Sequence, residues 1–179
     1  MGETYEAITA RRSVRRFRAE AVSDELLEEL LEAARWTPSW ANTQCWEIIV
    51  VRNAEMLGKL SGVLSAKNPA TLAVANGPLT LVICAAKKRA GYYKGEASTC
   101  LGDWLLYDCG LLTQTICLAA HDRGLGSVIV GAFDHRAVGS MLDVPDSHEV
   151  VALLPIGYPD MDPKPPQRRE VKEFTHTEK

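Results

Sequence analysis

Apolar residues along this chain fall into two kinds of pattern, spaced stripes and continuous runs, and together they predict most of its elements. Residues 4–11 read as a short helix with Tyr5 and Ile8 on one side. From Ser23, with Asp24 and Glu25 in the first turn, Leu26, Leu27, Leu30, Leu31 and Ala34 form a helical stripe that should end near Trp36, because Pro38 disfavours helical geometry in Thr37. The run 47–52, EIIVVR, predicts a buried strand, and Asn53 then caps a helix with Met56, Leu57, Leu60, Val63 and Leu64 facing inward. LTLVICAA, residues 79–86, predicts a second strand. From about Ser98 to Asp122 apolar residues lie on nearly all sides, which predicts a helix that is central or covered by a partner.

Gly124 and Gly126 end that helix and lead into SVIVGAF, a predicted third strand, after which Asp134 caps a short helix through Met141. HEVVALLPIGYP, residues 148–159, predicts a fourth strand. The last twenty residues hold three of the nine prolines and few core candidates, so they should run extended over a surface, their own subunit's or a partner's. There is no regular βαβ period and no G-x-G-x-x-G, so an α+β fold with helices packed on one mixed sheet fits better than a Rossmann sheet.

Composition narrows the function classes. A chain of 179 residues, 46% hydrophobic and 24% charged, is expected to be a single domain spanning 1–179. A formal charge of −3 argues against a protein that grips nucleic acid by its phosphates. Neither a signal-like apolar segment nor a run of membrane-spanning length is seen, so no membrane partner and a cytoplasmic location are expected. The five cysteines contain no C-x-x-C pair and the four histidines show no ligand spacing, so no metal site is expected.

Four stretches could carry chemistry. RRSVRRFR places Arg11, Arg12, Arg15, Arg16 and Arg18 around Ser13, a donor set suited to phosphate, although a solvated basic face paired with the Glu-rich helix that follows would read the same way. TPSWANTQCW, residues 37–46, joins a helix to a strand with hydroxyl and amide groups beside two tryptophans, a mixture that suits the rim and face of a heteroaromatic ring; Trp46 itself reads as core. In VIVGAFD, the small Gly131 and Ala132 allow a ligand close to backbone N–H groups, or mark a bulge. Arg168 and Arg169, with Lys164 before them, form a second cationic cluster that makes sense if both clusters converge on one phosphate.

Taken together, RRSVR, PSWANTQCW, DCGLLTQTICLAAHDRGLGSVIVGAFD, PIGYP and the RR pair followed by EVKEFTH resemble the flavin-dependent nitroreductase family, in that order and over about residues 4–176. The resemblance implies an FMN-binding α+β fold with a mainly antiparallel sheet. It also implies a homodimer with a flavin at each of two interface sites and a C-terminal tail extending over the partner. By position, Arg11, Arg12, Ser13 and Arg15 would contact the FMN phosphate, ribityl chain and pyrimidine side. Pro38, Ser39, Asn42 and Gln44 match the loop donated by the other subunit. Val130, Gly131 and Ala132 match the strand end facing the ring near N5 and O4, and Arg168 or Arg169 matches a C-terminal phosphate contact. No general acid or base stands in these motifs, so no catalytic side chain is assigned. The implied activity passes reducing equivalents from NAD(P)H to a flat acceptor such as a nitroaromatic or quinone in a ping-pong scheme; a flavin-binding or flavin-sensing module with little turnover is the alternative. Three features depart from the family pattern: Cys45 where proline is common, Thr115 where asparagine often follows glutamine, and a short stretch between Leu64 and Ala97.

Overall fold

The computed structural model describes residues 2–178. Its helices are α1 (Glu3–Ala10), α2 (Asp24–Arg35), α3 (Ala54–Gly62), α4 (Thr71–Asn76), α5 (Leu105–Asp122) and α6 (His135–Met141). Its strands are β1 (Trp46–Val51), β2 (Leu79–Ala86), β3 (Tyr92–Tyr93), β4 (Glu96–Ala97), β5 (Gly126–Ser127) and β6 (His148–Gly157). Three helices start on the side chains the sequence offered for the purpose. Ser23 Oγ accepts the Leu26 N–H at 3.2 Å, Asn53 Oδ1 that of Met56 at 2.9 Å, and Asp134 Oδ1 that of Ala137 at 2.9 Å.

The main sheet runs in the order β1-β2-β6-β5 with every strand pair antiparallel, and Ser13 adds a parallel bridge to Ser127. Because β2 sits inside the sheet between two helical layers, both of its faces are buried and its sequence is continuously apolar. Leu79, Leu81, Ile83 and Ala85 face the layer holding α2 and α5; Val82 and Cys84 face the layer holding α3, α4 and α6. In β6, Ala152, Leu154 and Ile156 join the first layer, yet Val150 joins the second although its position has the same parity. A bulge explains the switch: the register steps from Ile83 opposite Ala152 to Cys84 opposite Val150, so Val151 is the extra residue and the alternation flips there.

Two elements are shorter than their hydrophobic pattern predicts. α5 begins at Leu105, because Asp103 turns the preceding segment away: its Oδ2 accepts Lys88 N–H at 2.6 Å and its Oδ1 accepts Leu105 N–H at 3.1 Å. The third strand shrinks to β5 and one further bridge between Val130 and Leu153. Between them the ladder meets Pro155, which accepts from Val128 at 3.4 Å but has no N–H to return. The helix α4 and the small β3–β4 hairpin fall in the stretch for which the pattern predicted nothing definite. The tail runs without helix or strand from Pro163 to Glu170 before a 3-10 turn at Val171–Glu173. No helix among the described residues is long and apolar enough to cross a membrane.

Candidate cofactor site

The first arginine cluster lies along the edge of the sheet. Val14 is buried and donates its N–H to Ser127 O at 2.9 Å, a close approach that Gly126 permits, since a Cβ there would stand 2.7 Å from the Val14 side chain. On its other side the same segment pairs with the chain leaving β6: Arg18 N–H donates to Tyr158 O at 2.9 Å and Asp160 N–H to Arg16 O at 3.0 Å. This pairing carries the C-terminal tail across the arginines. Arg11, Arg12, Ser13 and Arg15 from one end of the chain, with Lys164 and Arg168 from the other, line a single cleft of about 250 Å3.

The cations of this cleft lack counter-charges. No ion pair among the described residues involves Arg11, Arg12, Arg15, Lys164 or Arg168. Arg15 Nε is buried with no hydrogen-bond partner. Arg12 spends one nitrogen on the end of α1, donating from Nη1 to Thr9 O at 2.7 Å and to Arg11 O at 2.9 Å. The Glu-rich α2 does not serve as their partner; three of its acids pair elsewhere, Asp24 with Arg52, Glu29 with Arg123 and Glu32 with Arg35. Arg169 turns away from the cleft, donating to Glu173 O and lying 5.8 Å from the Phe174 ring centroid. Of the two tail arginines, Arg168 is the one at the cleft.

Further along the same edge, Val130 exchanges hydrogen bonds of 2.9 and 3.0 Å with Leu153, and Gly131 and Ala132 then leave the ladder exposed. A Cβ on Gly131 would meet only open space, so packing within this chain does not require glycine there. The Gly131 and Ala132 N–H groups have no acceptor among the described residues. Ser127 and Ala132 are roughly 16 Å apart along an extended chain at about 3.3 Å per residue. The edge therefore offers cations at one end and free N–H groups at the other.

The polar loop is a different construction. Ser39 Oγ accepts Gln44 N–H at 3.0 Å, and Gln44 Nε2 donates to Asn42 Oδ1 at 3.0 Å. Ala41, Asn42 and Gln44 all hold positive φ, at 43°, 55° and 45°. What secures them is Asp108 of α5, only 1% exposed, whose two oxygens both accept the Trp40 N–H at 3.1 Å and whose Oδ2 lies 3.7 Å from Cys45 Sγ. Burial pushes the Asp108 carboxyl above its ordinary range, while the Trp40 N–H and the Cys45 thiol pull it back. Burial and the neighbouring Asp108 charge push the Cys45 thiol up to about 11. Trp40 packs on Trp104 with centroids 4.9 Å apart, and Trp46 packs against the core. Pro38, Asn42 and Gln44 are exposed and Ser39 is half-buried. Asp108 was not among the residues marked out by the sequence; its only signal there is a lone carboxylate in the apolar run LLYDCGLL.

The arginine cleft and the strand end thus share one edge, while the loop does not join them within the chain. The loop is tied to Asp108 near the start of α5; Arg11 lines a hollow with Cys117 and His121 near its end. Those two anchor points are nine residues or more apart, about 14 Å of helix. Beside the loop anchor, just ahead of Asp108, α5 exposes the apolar Leu106 and Tyr107, 65% and 60% exposed.

Comparison with known proteins decides what this arrangement belongs to: the model of the Nitroreductase family matches residues 8–158. The chain belongs to that family. A relative from Methanothermobacter thermautotrophicus, named for NADH dehydrogenase/NAD(P)H nitroreductase activity, is 32% identical over 90% of this chain and 80% of its own length. The FMN reductase [NAD(P)H] of Bacillus subtilis is 30% identical over 93% of this chain and 70% of its own. An FMN-dependent nitroreductase of Clostridium difficile R20291 superposes with a TM-score of 0.82 at 26% identity, covering 98% of this chain and 99% of that one. Two departures from the nitroreductase pattern have plain structural places: Cys45 is a buried side chain behind the loop, and Thr115 donates to Leu111 O at 3.0 Å within α5.

Proposed function

We propose that this nitroreductase-family protein is an FMN-dependent oxidoreductase that works as a homodimer, with one flavin in each of two sites built by both protomers. The observation that carries the reading is the buried, unpartnered Arg15 Nε in a cleft of unpaired cations drawn from both ends of the chain. Such a set lacks one or two negative charges, and a phosphate supplies them with oxygens matched to guanidinium forks. Arg11, Arg12, Ser13 and Arg15, with Arg168 from the tail, hold the phosphate, ribityl chain and pyrimidine side in this reading. The free N–H groups at Gly131 and Ala132 meet the N5 and O4 edge of the ring. When bound, FMN supplies a two-electron carrier between NAD(P)H and a flat acceptor such as a nitroaromatic or quinone.

What the chain itself does is bind, orient and exclude water. A guanidinium beside the pyrimidine edge stabilises the negative charge that reduction brings there. The loop carrying Pro38, Ser39, Asn42 and Gln44 faces the partner's flavin. A two-fold axis near the middle of α5, pairing the helix with its copy, would bring the loop end of one helix to the arginine end of the other.

An absorbance spectrum of the purified protein tests the cofactor. The visible band of an oxidised flavin is expected, with a gain in melting temperature on adding FMN; a colourless protein that gains nothing rejects the reading. Loss of that band on mixing with NADH or NADPH separates an enzyme from a flavin-binding module, for which the band persists. A monomer at micromolar concentration that still holds FMN would reject the shared site.

A further inference from the structure

His135 opens α6, but its ring turns back over the strand end before it. Nδ1 lies 2.7 Å from Val150 O of β6, and Nε2 lies 3.1 Å from Gly131 O. Both neighbours are carbonyl acceptors: a neutral ring donates to one of them, to Gly131 O in the Nε2–H tautomer, and only a doubly protonated ring donates to both. The ring is held in place by a stack on Phe133, with centroids 3.9 Å apart and planes inclined by 23°. The next carbonyl is fastened from another direction. Ala132 O accepts the Ser65 N–H at 3.0 Å and Asn68 Nδ2 at 3.1 Å. The amide of Asn68 is oriented for this, because its Oδ1 already accepts the Ala70 N–H at 2.9 Å.

These contacts aim groups they do not touch. The chain has no cis peptide among the described residues, and in a trans peptide the C=O and the following N–H point in opposite directions across a rigid plane. Fastening Gly131 O therefore fixes the direction of the Ala132 N–H, and fastening Ala132 O fixes that of Phe133. The Ala132 N–H has no acceptor among the described residues, and it sits in an exposed stretch that the Val130–Leu153 ladder no longer supports. Without His135, the peptide joining Gly131 to Ala132 is free to rotate, and Gly131 is the residue that resists such a rotation least.

We propose that His135 is a positioning residue: through Gly131 O it sets the Ala132 N–H toward the N5 and O4 edge of the flavin. The inference rests on the FMN reading above. It assigns to α6, an element outside the motifs that carry the family resemblance, the task of holding one donor in a reactive orientation.

The test uses protein loaded with 15N-labelled FMN, whose N5 resonance reports hydrogen bonding at that atom independently of turnover. His135→Phe keeps an aromatic ring against Phe133 and removes both ring nitrogens; His135→Ala removes them with no steric demand and replaces it if the first variant does not fold. In either, the N5 resonance is expected to move toward that of free FMN. Single-turnover flavin reduction by NADH should slow about ten- to a hundred-fold, while the FMN dissociation constant stays within about three-fold. His135→Gln, which retains one donor, should recover part of both. An N5 resonance and a reduction rate equal to wild type in the folded donor-less variant overturn the proposal. Wild-type protein that takes up no FMN sinks the flavin reading and this inference with it; wild-type uptake with an unmoved N5 resonance sinks the role of His135 alone.

Discussion

At the C-terminal end of α5, cations from residues 11–15 and from Lys164 and Arg168 face one cleft with no acid partner among the described residues. At its N-terminal end, the 37–45 loop is tied to itself by Ser39 and Asn42 and to the core by Asp108. The first arrangement is electrostatically unfinished, because like charges gathered without a counter-charge repel. The second is over-determined: three non-glycine residues at positive φ persist only where their surroundings hold them. In the proposed function one end receives a charged group and the other presents a rigid surface, and the proposed two-fold pairing of α5 would use both at once.

The comparison breaks most readily at the receiving end. Arg11→Ala is expected to weaken FMN binding by about 1.5–3 kcal/mol, the range for a hydrogen bond to a charged group, or roughly ten- to a hundred-fold and more in dissociation constant. Arg168→Ala should act in the same direction. Arg169→Ala should leave the constant unchanged, because that side chain is engaged with Glu173 O and the Phe174 ring. Fluorescence-quenching titrations with FMN measure all three, and equal effects from Arg168 and Arg169 would erase the distinction between cleft and tail.

At the presenting end, Asp108→Ala removes the acceptor of a buried N–H and should cost about 1–3 kcal/mol of stability in urea melts. Asp108→Asn keeps an acceptor and should cost less. The charge itself can then be read from pH. Burial raises the Asp108 carboxyl in the folded protein, so the native state holds that proton more tightly than the unfolded state, whose value is about 3.9. Protonation stabilises the fold here, and stability is lost as pH rises through the window above the unfolded value. Glu25, Glu32 and Glu55 are lowered by hydrogen bonds and work in the opposite direction. The diagnostic quantity is therefore the difference between wild type and Asp108→Asn, which should shift in favour of the variant as pH rises from about 4 toward neutral. A difference that is flat with pH would mean that Asp108 is no more buried in charge terms than a surface acid.

The same contrast between local and distant causes governs what could be read from the sequence. α2 and α6 announce themselves because cap and stripe lie within a few residues of each other, at Ser23 and Asp134. The third strand fails for a reason outside its own segment: Pro155, on the strand opposite, returns no N–H to it. α4 has six residues, too few for a periodic stripe, and its start depends on a turn at Asn68. The cationic clusters were legible as charge, but their meeting depends on residues 158–160 pairing with 16–18, a long-range contact that local pattern did not show. The choice of Arg168 over Arg169 is made by the turn at Val171–Glu173. Asp108 and His135 stayed unmarked because their partners, Trp40, Val150 and Gly131, become neighbours only once the chain has folded.

Thiol chemistry gives the finest probe of the two ends, because α5 or its neighbours place a buried cysteine at each. Cys45 lies behind the presenting loop, 1% exposed, its thiol pushed up to about 11 by burial and by Asp108. Cys117 lies beside the receiving hollow, also 1% exposed, its thiol raised by burial but drawn back by Ser127 and by the charge of Arg11. Cys84 and Cys109 are pushed up to about 11 and about 12 by burial. Since the thiolate is the nucleophile, a native protein near neutral pH should react with an alkylating reagent first at the exposed Cys100 and much more slowly at Cys117. Cys45 should be slower still. Mass spectrometry of peptides sampled over time gives the order. Labelling of Cys45 as fast as Cys117 would mean that the loop opens as freely as the cleft, and the rigidity assigned to Asp108 would have to be given up.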